Sequence, residues 1–161
     1  VYLVPAFQGL GAPVWDASAR GAILGLSRAS NKADIVAAGL ESVAFQTRDL
    51  LGAMREVMAE AGIEEIDTLR VDGGMTANGW AMQRLADILG EAVEVAPIPE
   101  TTALGAAYFA GQAVGVYGDD AALARNWAPA RRYDPHMAAA EREARYAGWL
   151  EAVARVGSRQ A

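Results

Sequence analysis

Apolar residues along the chain fall into two rhythms. Val1-Tyr2-Leu3-Val4 and Gly21 to Leu26 are short apolar runs that predict strands, joined by a loop rich in Gly, Ala and Pro. Then the spacing lengthens. Val36, Leu40, Val43, Thr47, Leu50, Met54 and Val57 recur at three- and four-residue steps, which predicts one long amphipathic helix ending near Gly62. Its start is marked by Asn31 as cap, with the acidic Asp34 placed to answer it. Gly39 and Gly52 lie inside this helix, each costing about 1 kcal/mol relative to Ala. A second backbone is therefore expected to approach it closely.

Further on, Leu69-Arg70-Val71-Asp72 predicts a strand running into Gly73-Gly74. Asn78 to Leu89 follows as a helix closed by Gly90, and Val93-Glu94-Val95 as a second strand. Strand, helix and strand at this spacing form a βαβ unit, so the two strands are expected to be parallel neighbours. After Pro97 and Pro99, Thr101 or Thr102 is expected to cap another helix. That helix has almost no polar face through Ala103 to Ala110, which predicts burial on several sides. Asp134-Pro135 predicts the start of a last helix, with Tyr146, Trp149, Leu150 and Val153 on its packing face. No internal repeat or low-complexity linker interrupts the pattern. The fold class expected is α/β, one unit over residues 1–161 with a helical tail.

Composition narrows the chemistry. With 161 residues the chain is long enough to bury on the order of two-thirds of its unfolded surface. A formal net charge of −6 gives no electrostatic reason to expect a nucleic-acid or acidic-membrane partner. There is no cysteine, which excludes disulfides and thiolate chemistry, and His136 is the only histidine. No apolar run reaches the ~18 residues of a membrane span, and a cytoplasmic location is expected. Val1 already lies within a predicted strand, so the start of the natural chain is expected to lie upstream.

The strongest local signal is Asp72-Gly73-Gly74, a turn between a parallel strand and the next helix. Glycines let a ligand lie against the backbone, and free amides at a helix start can face it. Ligands of open α/β sheets bind beyond the carboxyl ends of the strands, where this turn lies. The alternative is a tight bend that merely needs positive φ. Gly-x-Gly-x-x-Gly is absent, and no Gly-Lys-Ser/Thr follows the glycines, so neither a dinucleotide fingerprint nor a P-loop is present. Asn78 can cap the following helix or reach a ligand with its amide. Elsewhere the acidic pairs Asp119-Asp120 and Glu64-Glu65 read as solvated loops, Arg131-Arg132 as a surface strand edge, Trp15 as a packing anchor and His136 as exposed.

Hydrophobic-Asp-Gly-Gly-x-Thr resembles the adenosine-contact turn of actin-like ATPases. Gly21-x-Ile23-x-Gly25-Leu26, then Asp34-Ile35 and Ala38-Gly39-Leu40-Glu41, resembles a signature of the FGGY carbohydrate kinases, departing from it at Gly39. Within that family the chain is most similar to glycerol kinases. The likeness runs through Val4-Pro5-Ala6-Phe7-Gln8-Gly9-Leu10-Gly11-Ala12-Pro13, Trp15-Asp16, Phe45-Gln46-Thr47-Arg48-Asp49, Arg70 to Gly74 and Tyr146-Ala147-Gly148-Trp149. It covers nearly the whole chain in the family's order.

The resemblance implies a ribonuclease H-like, actin-like ATPase fold, with residues 1–161 as the C-terminal part of its second lobe. It implies ATP-dependent phosphorylation of glycerol to sn-glycerol 3-phosphate, with Mg²⁺ bridging the phosphates. Gly73, Gly74 and Asn78 are the nucleotide-binding positions it carries over. It puts no catalytic residue and no metal ligand here, because those roles belong to an N-terminal lobe upstream of Val1. Where the family often has two consecutive asparagines, this chain has Asn78-Gly79. Partners implied are ATP or ADP, glycerol, the missing lobe and a second copy in a homo-oligomer. Xylulose or gluconate as substrate, and a non-catalytic actin-like interaction module, are the alternatives.

Overall fold

The computed structural model describes residues 1–63, 68–124 and 127–157. The acidic pair Glu64-Glu65 lies outside the described residues. Two small sheets carry the strands. β1 (Tyr2–Val4) pairs antiparallel with β2 (Ala22–Leu24), Leu3 opposite Ile23. β3 (Thr68–Val71) and β4 (Ala92–Val95) run parallel, as the βαβ spacing predicts, with Leu69 opposite Val93. β5 (Arg131–Tyr133) adds antiparallel to β4, giving the order β3-β4-β5. Arg131 and Arg132 do form an exposed strand edge. Among the described residues β3 has a strand neighbour on one side only.

Helix α1 (Lys32–Glu60) starts as the sequence indicates. The Asn31 side chain accepts from Ala33 N at 2.7 Å, and Asp34 Oδ2 accepts from Asn31 N at 2.8 Å, which closes a capping box. The buried face is a different one from the predicted stripe. Ala38, Glu41, Ser42, Ala44, Phe45 and Leu51 are buried, whereas Val36 is 63% and Val57 65% exposed. Both faces are apolar at helical spacing. The inner one is selected by Phe45, whose ring stacks on Trp149 with centroids 5.3 Å apart. Among the described residues no second backbone explains the internal glycines. A Cβ at Gly39 would meet only Leu3 Cδ1 at 3.8 Å, and one at Gly52 nothing within 4 Å.

Helix α2 (Gly79–Leu89) packs between α1 and the three-stranded sheet, burying Met82, Leu85 and Ile88 against Val93 and Val95. Gly90 closes it at φ 75°, a left-handed C-cap. Helix α5 (Ala139–Val156) lies across β1 and α2, with Trp149 1% exposed and Ala152 and Val153 buried; Leu150 instead faces outward. Asp49 on α1 binds α5 twice, accepting from Tyr146 Oη at 2.6 Å and from Trp149 Nε1 at 2.7 Å. Arg48 lies 3.9 Å from the Tyr146 ring centroid. Burial first, and then the Asp49 carboxylate, push the Tyr146 hydroxyl well above the usual tyrosine range.

Four further expectations need correction. Asp134-Pro135 does not open α5, which begins at Ala139. The intervening turn is instead held from α2: the buried Asp87 carboxylate accepts from His136 N at 2.7 Å and Met137 N at 3.2 Å. Helix α3 (Thr101–Ala113) has neither threonine as cap, since Glu100 is the N-cap residue and its side chain makes no capping hydrogen bond. Nor is α3 enclosed: Gly111 is its buried residue, while Phe109 is 74% exposed, because no described element lies over its apolar surface. Trp15, at φ 54° in the loop after β1, is 78% exposed and anchors no packing. Short helix α4 (Asp120–Ala124) uses the Asp119-Asp120 pair locally, Asp119 accepting from Ala122 N at 2.9 Å and Asp120 from Gln112 Nε2 at 2.9 Å. No helix among the described residues is long and apolar enough to cross a membrane.

Candidate nucleotide site

Strand β3 delivers Asp72 and the two glycines to its carboxyl end, on the side where open α/β sheets take ligands. The two glycines differ. Gly73 sits at φ 90°, ψ 176°, a conformation that disfavours any side chain. Gly74 is not among the positive-φ glycines, and a Cβ added there would meet nothing within 4 Å. The bend needs Gly73 for its own geometry, but neither backbone conformation nor packing in the described chain requires glycine at 74.

Past Gly74 the expected helix does not begin at once. A single 3-10 turn (Gly74–Ala77) intervenes, closed by Thr76 N and Thr76 Oγ1 donating to Gly73 O at 3.1 and 2.7 Å. Asn78 N donates to Met75 O at 3.0 Å. Asn78 then caps α2, its Oδ1 accepting from Ala81 N at 3.2 Å. Capping uses the Asn78 acceptor and leaves its Nδ2 donors pointing to no hydrogen bond among the described residues. Thus Gly73, Gly74 and Asn78 come together at one edge, joined by the 3-10 turn. Gly79, in place of a second asparagine, lets Tyr133 come close: a Cβ at 79 would lie 3.3 Å from its hydroxyl oxygen.

Two side chains here escaped the sequence. Asp72 accepts a hydrogen bond from Thr101 Oγ1 at the first turn of α3. Nothing local announces that pairing, because it joins residues 29 apart. Glu41, the last residue of the Ala38-Gly39-Leu40-Glu41 signature, is a buried ion-pair hub: Arg84 Nε lies 3.1 Å and Arg145 Nη1 3.6 Å from its Oε1. It joins α1, α2 and α5, so this part of the signature serves packing. A cavity of about 440 Å³ opens beside it, lined by Ser30, Asp34, Glu41, Trp80, Arg84 and Arg145 among others, and excludes Gly73, Gly74 and Asn78. The glycine turn is one open wall, not an enclosed pocket. Among the described residues no group of three or more His, Asp or Glu side chains is disposed to hold a metal ion.

Comparison with known proteins adds the following. The chain is 57% identical over 158 residues to a glycerol kinase of Ectopseudomonas mendocina, which covers 98% of this chain and 31% of that protein. A glycerol kinase of Alcanivorax borkumensis is 53% identical over 97% of this chain and again 31% of its own length. The chain therefore spans 31% of the length of these curated relatives. Among solved structures, Plasmodium falciparum glycerol kinase with ADP superposes with a TM-score of 0.82 at 35% identity, over 96% of this chain and 30% of that one. Xylulose kinase from Rhodospirillum rubrum follows at a TM-score of 0.71 and 25% identity, over 96% of this chain and 30% of that one. These neighbours share the α/β, actin-like ATPase fold. Residues 1–114 match the C-terminal domain of the FGGY family of carbohydrate kinases, and the chain belongs to that family.

Proposed function

We propose that residues 1–161 are the C-terminal part of an ATP-dependent glycerol kinase and form the adenosine-side wall of its nucleotide site. The observation that carries this is Gly74: a glycine that its own backbone and neighbours do not demand, on a turn at the carboxyl end of a parallel strand. Open backbone at that place suits a flat or charged ligand group lying against it. The Plasmodium falciparum relative, solved with ADP, supports a nucleotide as that ligand. The identity of 57% to a glycerol kinase, against 25% to a xylulose kinase, supports glycerol over a pentulose.

In the reaction a terminal glycerol hydroxyl attacks the γ-phosphorus of ATP, the bond to the bridging oxygen of ADP breaks, and the hydroxyl proton leaves to a base. Positioning and charge neutralisation dominate such transfers. Gly73, Gly74 and Asn78 would seat the nucleotide, Asn78 donating from Nδ2. None of them abstracts the proton. Mg²⁺ would be held by residues outside the described ones. A homo-oligomer is part of the same proposal, supported by the apolar surface left open on α1 and α3.

The test uses the full-length enzyme that carries this sequence. Turnover should be faster with glycerol than with xylulose or gluconate, and Gly74→Val should raise KM for ATP by about tenfold or more, near 1.4 kcal/mol of lost binding. Faster turnover of a pentulose sinks the substrate assignment, and an unchanged KM for ATP sinks the seat. Calorimetry on residues 1–161 alone should find no kinase activity and ATP affinity no tighter than high-micromolar. One wall of a cleft cannot do more.

A further inference from the structure

The glycine turn is held mostly by itself. Cβ atoms at Gly73 or Gly74 would touch nothing within 4 Å, so no packing among the described residues fixes the bend from outside. Its hydrogen bonds from Thr76 and Asn78 close within the turn. Below it, Ala96 N donates to Val71 O at 2.8 Å, fixing the end of the strand. The side-chain bond that leaves the turn for another element runs between Asp72 and Thr101. At its other end, among the described residues, α3 makes its polar side-chain contacts forward along the chain, through Gln112 to Gly118 and Asp120.

Asp72 is also the wrong charge for its place. On that reading, a carboxylate one residue from a bend that seats a nucleotide repels its nearest phosphate, by about 1 kcal/mol at 4 Å in bulk water and more where solvent is thinned. A hydroxyl donor fixes the direction of that carboxylate, toward α3, and draws off part of its charge. We propose that Thr101 is a positioning residue for the nucleotide turn: through Asp72 it holds the carboxylate on the α3 side and sets the Gly73-Gly74 bend relative to α3. This rests on the assignment of the turn to ATP. Thr101 itself touches no substrate.

Steady-state kinetics of the full-length enzyme test it. Thr101→Val keeps the size of the side chain and removes the donor, and should raise KM for ATP roughly three- to tenfold, with the shift carried by KM rather than kcat and with KM for glycerol unmoved. Thr101→Ser should restore the wild-type value. Asp72→Asn in the Thr101→Val background should recover most of the loss, because the freed group is then neutral. An unchanged KM for ATP in Thr101→Val, equal damage to both substrates, or no recovery in the double variant overturns the proposal. If Thr101→Val does not fold, Thr101→Ala with and without Asp72→Asn gives the same comparison. Gly74→Val separates the two levels: a raised KM there beside an unmoved Thr101→Val sinks the positioning role alone, whereas no shift in either sinks the nucleotide turn as well.

Discussion

At the scale of single residues, glycines make opposite demands. A Cβ at Gly148 would fall 2.2 Å from Tyr2 Oη, the atom that donates to Arg145 O at 3.1 Å. Gly148→Ala must push the tyrosine out of its place between β1 and α5, at a cost of about 1–3 kcal/mol by the usual penalty for overpacking. Gly74→Ala meets open space and should leave stability level, or raise it by about 0.4–1 kcal/mol through the unfolded chain. Chemical denaturation of both variants checks this: equal losses would mean that Gly74 is structural after all. The local residue signals were legible. The capping box at Asn31 and Asp34 and the left-handed stop at Gly90 involve neighbours in sequence, and both stand as read. Asp87 was not legible, because the amides it satisfies at His136 and Met137 lie 49 and 50 residues away.

At the scale of elements, the sequence located the helices better than it oriented them. Helix α1 carries apolar residues on more than one face, and periodicity cannot say which face a stacked Phe45–Trp149 pair will claim. The joint between α1 and α5 depends on Asp49, which serves both Tyr146 and the buried Trp149 indole. This joint has a pH signature. The Tyr146 pKa is raised in the fold above its ordinary value near 10. Its contribution is therefore whole below about pH 10 and fades as the pH rises toward the folded-state pKa. The burial of Tyr2 works in the same direction. The unfolding midpoint of the wild type should fall above pH 10 more steeply than that of Tyr146→Phe, which has no proton to lose there. Parallel pH profiles for the two would remove Tyr146 from the joint.

At the scale of the molecule, the unexpected surface is the uncovered one. The near-absence of polar residues from α3 reads as deep burial, yet Phe109, Val114 and Val116 stand open, as do Val36 and Val57 on α1. The sequence was consistent: no described residue covers these faces, and this chain spans 31% of the length of the curated relatives it matches. Residues 1–161 in isolation should therefore self-associate as concentration rises. Light scattering should show mass growing with concentration, and less of it when Val36 and Val57 are both changed to Glu. A particle of constant monomer mass would contradict this. The βαβ unit and the family signatures were readable because each is a contiguous stretch of chain. Of the proposed nucleotide site, one wall was readable, its bend set by Gly73 and its cap by Asn78, because both belong to one contiguous stretch of chain.

The three-stranded sheet has a direction of growth. β4 is closed on both sides, and β5 is three residues long and carries Arg131 and Arg132, the latter paired with Glu94 and Asp134. A short, charged strand of this kind resists addition of another. β3, paired on one side among the described residues, is thus the flank open to enlargement, and it is also the strand that ends in the glycine turn. Any strand laid down beside it would abut that turn, so the open edge of the sheet and the open backbone of Gly73-Gly74 form one continuous margin of the described molecule.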